Sequence, residues 1–160
     1  MAKEHIPVTP AIVFLRRAQV PFTLRSYTYV EHGGTRVSAQ ALGEDEHAIV
    51  KTLVMENERR EPLIILMHGD RQVSTKTLAR TLGVKSVAPC DPKTAERHTG
   101  YRVGGTSPFG TRKPLPIYME ETIAELPKIL INAGRRGLLA EMAPTELIRT
   151  LSPVPVHVAL

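Results

Sequence analysis

The chain has 160 residues, 42% of them hydrophobic, which suits one domain with a sizeable core and excludes a disordered or disulfide-stapled class. Its 21 Lys and Arg against 16 Asp and Glu leave a formal net charge of +5, which favours an anionic partner. A single cysteine, Cys90, allows no intramolecular disulfide and fits a reducing cytoplasm. In chain order, Met1–Pro7 lacks the apolar core of a secretory signal. Thr9 reads as an N-cap with Pro10 in the first helical position, and the helix runs through Ile12 and Leu15 until Pro21 stops it. Phe22 to Tyr29 reads as a strand, Glu31 to Arg36 as a loop, and Val37 to Leu42 as a short helix closed by Gly43. Ala48 to Met55 is rich in β-branched residues and predicts a strand paired with Leu63–Met67 across the polar connection Glu56–Glu61. The apolar run Pro62–Met67 is far too short to span a bilayer.

Ser74 caps the next predicted helix, which ends near Leu82 before Gly83. Asp91-Pro92 opens another that stops before Gly100. Ile117–Met119 and Ile129–Ile131 read as strands, Pro144 starts a last helix reaching Leu151, and the tail after Pro153 adds a weak strand. There is no internal repeat, low-complexity tract or linker, so residues 1–160 read as a single domain.

Two features carry chemistry. The stretch Gly100–Gly110 holds four glycines, a proline and the hydroxyls of Thr106 and Ser107, and cannot be a regular helix. Such a loop can turn several N–H groups toward one point, as a phosphate or an oxyanion requires, or it can be a plain tight connection between strands. Lys51 is the only charge in the apolar strand 48–55. Alternation puts Ile49, Lys51, Leu53 and Met55 on one face and Val50, Thr52 and Val54 on the other, with both faces buried. An ammonium there is a functional group, or else an edge-strand lysine that repels neighbouring chains.

Other chemistries find less support. His5, His32, His47, His68, His98 and His157 show no zinc-binding spacing and read as surface or satisfied structural residues. Gly104-Gly105 lacks the Gly-Lys-Ser/Thr ending of a P-loop, and Ser107 lacks a Gly-x-Ser-x-Gly frame. Cys90 reads as a structural thiol, and Glu44-Asp45-Glu46 and Glu120-Glu121 as solvated turns and helix starts. Lys93, Arg97, Arg102, Arg112, Lys113, Lys128, Arg135 and Arg136 cluster around the glycine blocks and predict a basic rim.

Val50-Lys51-Thr52-Leu53-Val54, followed by Gly100-Tyr101-Arg102-Val103-Gly104-Gly105-Thr106-Ser107-Pro108, resembles the YbaK/ProX family of aminoacyl-tRNA deacylases. The turn Ala133-Gly134-Arg135-Arg136-Gly137-Leu138 and the opening Val8-Thr9-Pro10-Ala11 match in order and spacing, so the likeness runs from Thr9 to Leu151. The resemblance implies an α+β fold: a single compact domain with a mixed, barrel-like sheet surrounded by helices around one pocket. It implies clearing of mischarged tRNA, commonly tRNA(Pro), with prolyl-tRNA synthetase as a candidate partner and neither DNA nor a membrane involved. Lys51 matches the family's essential lysine, Gly104–Pro108 its substrate loop and Tyr27 an aromatic position near the pocket. Gly134 falls in its third block and Asn132 just before it, and both are expected to bind substrate.

An aminoacyl ester is already activated, so no metal, cofactor or covalent intermediate is needed; positioning and charge stabilisation suffice. Lys51 is expected to hold ribose or phosphate oxygens of the terminal adenosine, and N–H groups near Gly104 and Gly105 to stabilise the oxyanion. The nucleophile is water or, for a cysteine substrate, its own thiol, a lyase-like route. Asn132, Leu139 and Ala133 stand where cysteine-specific members usually have serine, aspartate and glycine. These departures point to a less polar pocket and a small aliphatic substrate such as alanine. The alternative is a non-catalytic tRNA- or synthetase-binding module using the same rim.

Overall fold

The computed structural model describes residues 7–160. The expectation about a secretory signal falls on residues 1–7, almost all outside that range. Helix α1 (Pro10–Arg17) begins as expected: the Thr9 hydroxyl accepts from the Ile12 N–H and Pro10 occupies the first turn. Strand β1 covers only Thr23–Ser26, because only these four residues find partners on another strand. Helix α2 (Gly34–Leu42) starts three residues earlier than the sequence indicates and is closed by Gly43 at φ 67°. A 3-10 turn (Glu46–Ala48) leads into β2 (Ile49–Asn57), which forms the expected hairpin with β3 (Pro62–His68) from Val50 opposite His68 to Glu56 opposite Pro62. Then come α3 (Thr75–Leu82), β4 (Val87–Pro89), α4 (Pro92–Thr99), β5 (Ile117–Glu120), β6 (Ile129–Arg135), β7 (Leu138–Met142), α5 (Pro144–Leu151) and β8 (Val154–Val156).

The strands form one mixed sheet in the order β1-β7-β6-β2-β3-β5-β8, with β4 on the outer side of β2. Helices cover both faces, so central strands are apolar on both. Along β3 the two-residue period sends Ile64 and Leu66 into a core shared with α1 and α5, and Leu63, Ile65 and Met67 into a second core under α3. A small third cluster joins Ala39, Ile49, Leu130 and Leu139.

Strand β2 creates the opening that matters. Its outer edge pairs with β6 only at Ile49 and Val50, and with β4 only from Met55 to Asn57. Between them, Lys51 to Val54 has no strand neighbour on that side among the described residues. The bond from Cys90 N to Val54 O fixes the alternation: Val50, Thr52 and Val54 direct their main-chain groups outward, away from β3.

The expectation of solvated carboxylates fails at Glu120. Its side chain is buried and accepts from the N–H groups of Val158 (2.7 Å) and Ala159 (3.3 Å), tying the C-terminal segment to β5. Glu44 is likewise engaged, with Arg25 and Lys128 each at 3.0 Å.

Candidate functional site

A cavity of about 490 Å³ opens along the unpaired edge of β2. Ile49 to Met55 form one wall, Tyr27 to Ser38 another, and Val103, Gly104, Thr106, Asn132 and Leu139 close it. Of the residues expected to bind or act on substrate, it gathers Lys51, Tyr27, Gly104, Thr106 and Asn132. Gly105, Ser107, Pro108 and Gly134 do not line it.

Lys51 is half-buried and not unpaired: its Nζ donates to the Arg71 carbonyl. Burial pushes its pKa down, opposed by the carboxylates of Glu46 and Asp70. Both faces of β2 are buried at Ile49-Val50 and at Val54-Met55, but Lys51, Thr52 and Leu53 between them are only partly so, since they meet the cavity. Thr52 was not singled out by sequence. Among the described residues its buried hydroxyl has no hydrogen-bond partner, and its outward N–H and C=O face no paired strand. A threonine inside an apolar strand gives no sign of this; the missing neighbour strand is a tertiary fact.

The glycine loop is a pinned structure. Tyr101 Oη donates to the Phe109 carbonyl (2.6 Å), and the buried Ser107 Oγ accepts from Phe109 N (3.2 Å). The Asn132 side-chain amide donates to Gly104 O (3.1 Å), while its Oδ1 accepts from Gly134 N (2.7 Å) and Arg135 N (3.1 Å), shaping the bulge in β6. Arg136 Nε donates to Val103 O (2.8 Å), and its guanidinium lies 4.9 Å from the centre of the Tyr29 ring. The two glycine blocks seen in the sequence therefore touch. Gly104, at φ 89°, leaves room for Tyr29, whose Oη would stand 2.6 Å from an added Cβ.

The structure differs from expectation at Gly105. Its N–H already donates to Arg102 O (2.8 Å), and an added Cβ would lie 2.8 Å from Arg136 N. Gly105 serves the contact between loop and turn. The neighbouring N–H groups of Gly104 and Thr106 meet no acceptor among the described residues. Ser107, Pro108 and Gly134 likewise build the loop and turn from behind; a Cβ on Gly134 would meet the Tyr101 ring at 2.8 Å.

Around this frame the lining is mostly apolar. Leu139 reaches the cavity, as does Cys90, whose thiol is pushed up to about 11 by burial and the nearby Glu56 carboxylate. A thiol so disfavoured as thiolate fits the structural reading of Cys90. Burial also raises the pKa of the Tyr27 phenol. Of the expected rim, Lys93, Arg97, Arg102, Arg112, Lys113 and Arg135 are exposed. Lys128 is not free: it pairs with Glu44 (3.0 Å) and Glu141 (3.4 Å).

Residues 34–150 match the family model described as an aminoacyl-tRNA editing domain. A protein of Enterococcus faecalis, EbsC, assigned as a Cys-tRNA(Pro)/Cys-tRNA(Cys) deacylase, is 31% identical over 141 residues, covering 88% of this chain and 86% of that one. A proline–tRNA ligase of Brachyspira hyodysenteriae is 24% identical over 86 residues, 54% of this chain but 15% of that enzyme. The crystal structure of the hypothetical protein APE2540 superposes with a TM-score of 0.86 at 20% identity, covering 95% of this chain and all of that one. A structure described as a trans-editing enzyme for prolyl-tRNA synthetase superposes at 0.83 with 21% identity, covering 94% and 95%. At such identities the superpositions speak for the fold alone. Lys51 and the Gly104 loop thus face one cavity in a chain whose sequence matches the editing-domain model over most of its length: the protein belongs to the aminoacyl-tRNA editing domain family, in its YbaK/ProX group.

Proposed function

We propose that this protein is a deacylase that clears mischarged tRNA, tRNA(Pro) first among the candidates, of a small amino acid. The observation that carries the reading is the convergence of the Lys51 ammonium, the open β2 edge at Thr52 and the pinned Gly104 loop on one space of about 490 Å³. That volume accommodates an aminoacylated nucleoside and lies in the usual range for ligand sites. Lys51 holds ribose or phosphate oxygens of the terminal adenosine, and the exposed basic side chains receive the phosphates that follow. Thr52 supplies an acceptor for the α-amino group.

Water attacks the ester carbonyl carbon, and the N–H groups of Gly104 and Thr106 stabilise the oxyanion that forms. The carbon–oxygen bond to the ribose then breaks, the ribose oxygen takes up a proton, and the free amino acid departs. With a cysteine substrate the substrate thiol can replace water as nucleophile.

Leu139 and Ile49 in the wall support an aliphatic substrate. Asn132 does not counter this, because its amide is committed to Gly104, Gly134 and Arg135. Alanine is accordingly expected to leave tRNA(Pro) at least as fast as cysteine. The test is release of free amino acid from a panel of mischarged tRNAs, with Ala-tRNA(Pro) and Cys-tRNA(Pro) compared at one salt concentration. Leu139→Asp is expected to shift preference toward the polar substrate. Strong preference of the unaltered protein for cysteine overturns the specificity; no release from any tRNA leaves a binding module instead of an enzyme.

A further inference from the structure

A second set of polar side chains stands behind Lys51 with no part in the chemistry above. Strand β3 ends at His68, and the chain turns through Gly69 and Asp70 to Arg71, closed by Arg71 N to His68 O (3.1 Å). The turn is pressed against the 3-10 turn before β2. Gly69 N donates to Ile49 O (2.6 Å), and a Cβ on Gly69 would lie 2.6 Å from Glu46 O. Asp70 Oδ1 and His47 Nδ1 are 2.8 Å apart. The His47 ring stacks on that of His68, centroids 3.7 Å apart and planes 6° from parallel.

The hydrogen bonds assign the protons. His68 is buried, and its Nδ1 lies 2.8 Å from the His47 carbonyl, which can only accept, so Nδ1 carries hydrogen. Its Nε2 then accepts from the Thr122 hydroxyl at 2.7 Å, in keeping with a neutral ring whose pKa burial lowers. Burial opposes ionisation of Asp70, yet the His47 bond and charge, its own N–H and Arg71 outweigh that and hold its pKa below the ordinary value. An ionised Asp70 only accepts, so His47 Nδ1 donates.

This assembly ends on the carbonyl that receives Lys51. We propose that His47 and Asp70 are positioning residues: their bond locks the His68–Arg71 turn, and the turn offers the Arg71 carbonyl that aims the Lys51 ammonium into the cavity. The inference rests on the reading of Lys51 given above. A lysine has four flexible side-chain bonds, and an ammonium anchored by one fixed acceptor loses less freedom when substrate arrives. Glu46, from the 3-10 turn, and Asp70 also face Lys51 as countercharges. Tyr27, Tyr29, His32 and Cys90 line the same cavity from its other walls.

The test uses the full chain with Asp70→Asn, His47→Ala, His47→Asn and Lys51→Ala, each checked for melting temperature. Asp70→Asn and His47→Ala are expected to lower kcat about tenfold or more and to raise KM, since a misplaced Lys51 holds the adenosine less well and small misplacement of the ester is costly. In Asp70→Asn the loss of activity on the alkaline side moves to lower pH, because a charge favouring the ammonium is gone. His47→Asn restores most of the rate, its amide N–H standing where Nδ1 stood. A folded Asp70→Asn protein with unchanged kcat and alkaline limb, beside an inactive Lys51→Ala, overturns the inference. A fully active Lys51→Ala instead overturns the reading of the site. The Lys51 pKa, followed by NMR on labelled lysine in His47→Ala, which keeps the Asp70 charge, then decides the positioning alone: it shifts if the turn holds Lys51, and stays put if it does not.

Discussion

Lys51 is the residue on which activity and stability separate. Lys51→Ala is expected to cost about 10²-fold in deacylation, the scale of letting a bound substrate shift by about 1 Å. Its stability changes by only about 1 kcal/mol, because one hydrogen bond to Arg71 is lost while a burial penalty is relieved. Turnover and a melting curve on the same preparation check both halves. Burial places the folded-state pKa of Lys51 below the ordinary lysine value of about 10.4, so activity that needs the ammonium fades before that pH. Stability has the opposite sign: the unfolded chain holds this proton more tightly, so the penalty is full below the folded pKa and disappears as pH rises through the unfolded one. Gly105 fails for another reason. In Gly105→Ala the added Cβ meets main-chain atoms of Arg135 and Arg136, which cannot swing aside as a side chain would. Loop and turn must part, at about 1–3 kcal/mol, with activity lost through the displaced Gly104. A Gly105→Val protein of normal melting temperature and rate would refute that contact.

At the scale of elements, helix starts were legible where a side-chain cap writes them locally, and not at α2, which has none. Thr9, Ser74 and Asp91 each cap the helix assigned to them, by accepting from the N–H three residues on. Strands β4 and β7 were not legible, since three or five residues become strands only when a partner arrives, and the turn at Arg136-Gly137 was not read as joining a hairpin. Lys51 and the glycine loop, which line the cavity, could be singled out from sequence. The open edge at Thr52 and the engagement of Gly105 could not, as both depend on which chain passes alongside. Glu120 was misread for the same reason: its partners lie 38 and 39 residues away. Glu120→Ala should therefore cost about 1–3 kcal/mol by leaving two N–H groups unsatisfied, a loss visible in the melting temperature. Glu44 gives a pH-dependent counterpart. Its hydrogen bonds to Lys128 and Arg25 depress its pKa, so its contribution is present above the ordinary carboxylate value and lost as pH falls through the folded one. Glu44→Gln is expected to lower the melting temperature at neutral pH, with the difference closing in acid.

Across the whole molecule, the +5 charge acts mainly through side chains that remain unpaired. Affinity for tRNA is expected to fall with salt, and Arg102→Ala or Arg135→Ala to flatten the log–log slope by about 0.7–0.9 each, as one phosphate contact would. Lys128→Ala serves as the comparison, because that cation is already held by Glu44 and Glu141. Equal slopes for all three variants would detach the rim from RNA.

The gap in the neighbours of β2 gives the molecule an internal indicator. Amides in the middle of a central strand normally resist deuterium for as long as the fold survives. Thr52 sits between Val50 and Val54 in such a strand, yet its N–H opens onto the cavity. It should exchange far faster than Leu53, whose N–H is turned toward β3, and slow down when an aminoacyl nucleoside fills the space. One peptide amide would then report occupancy without a label, a mutation or turnover.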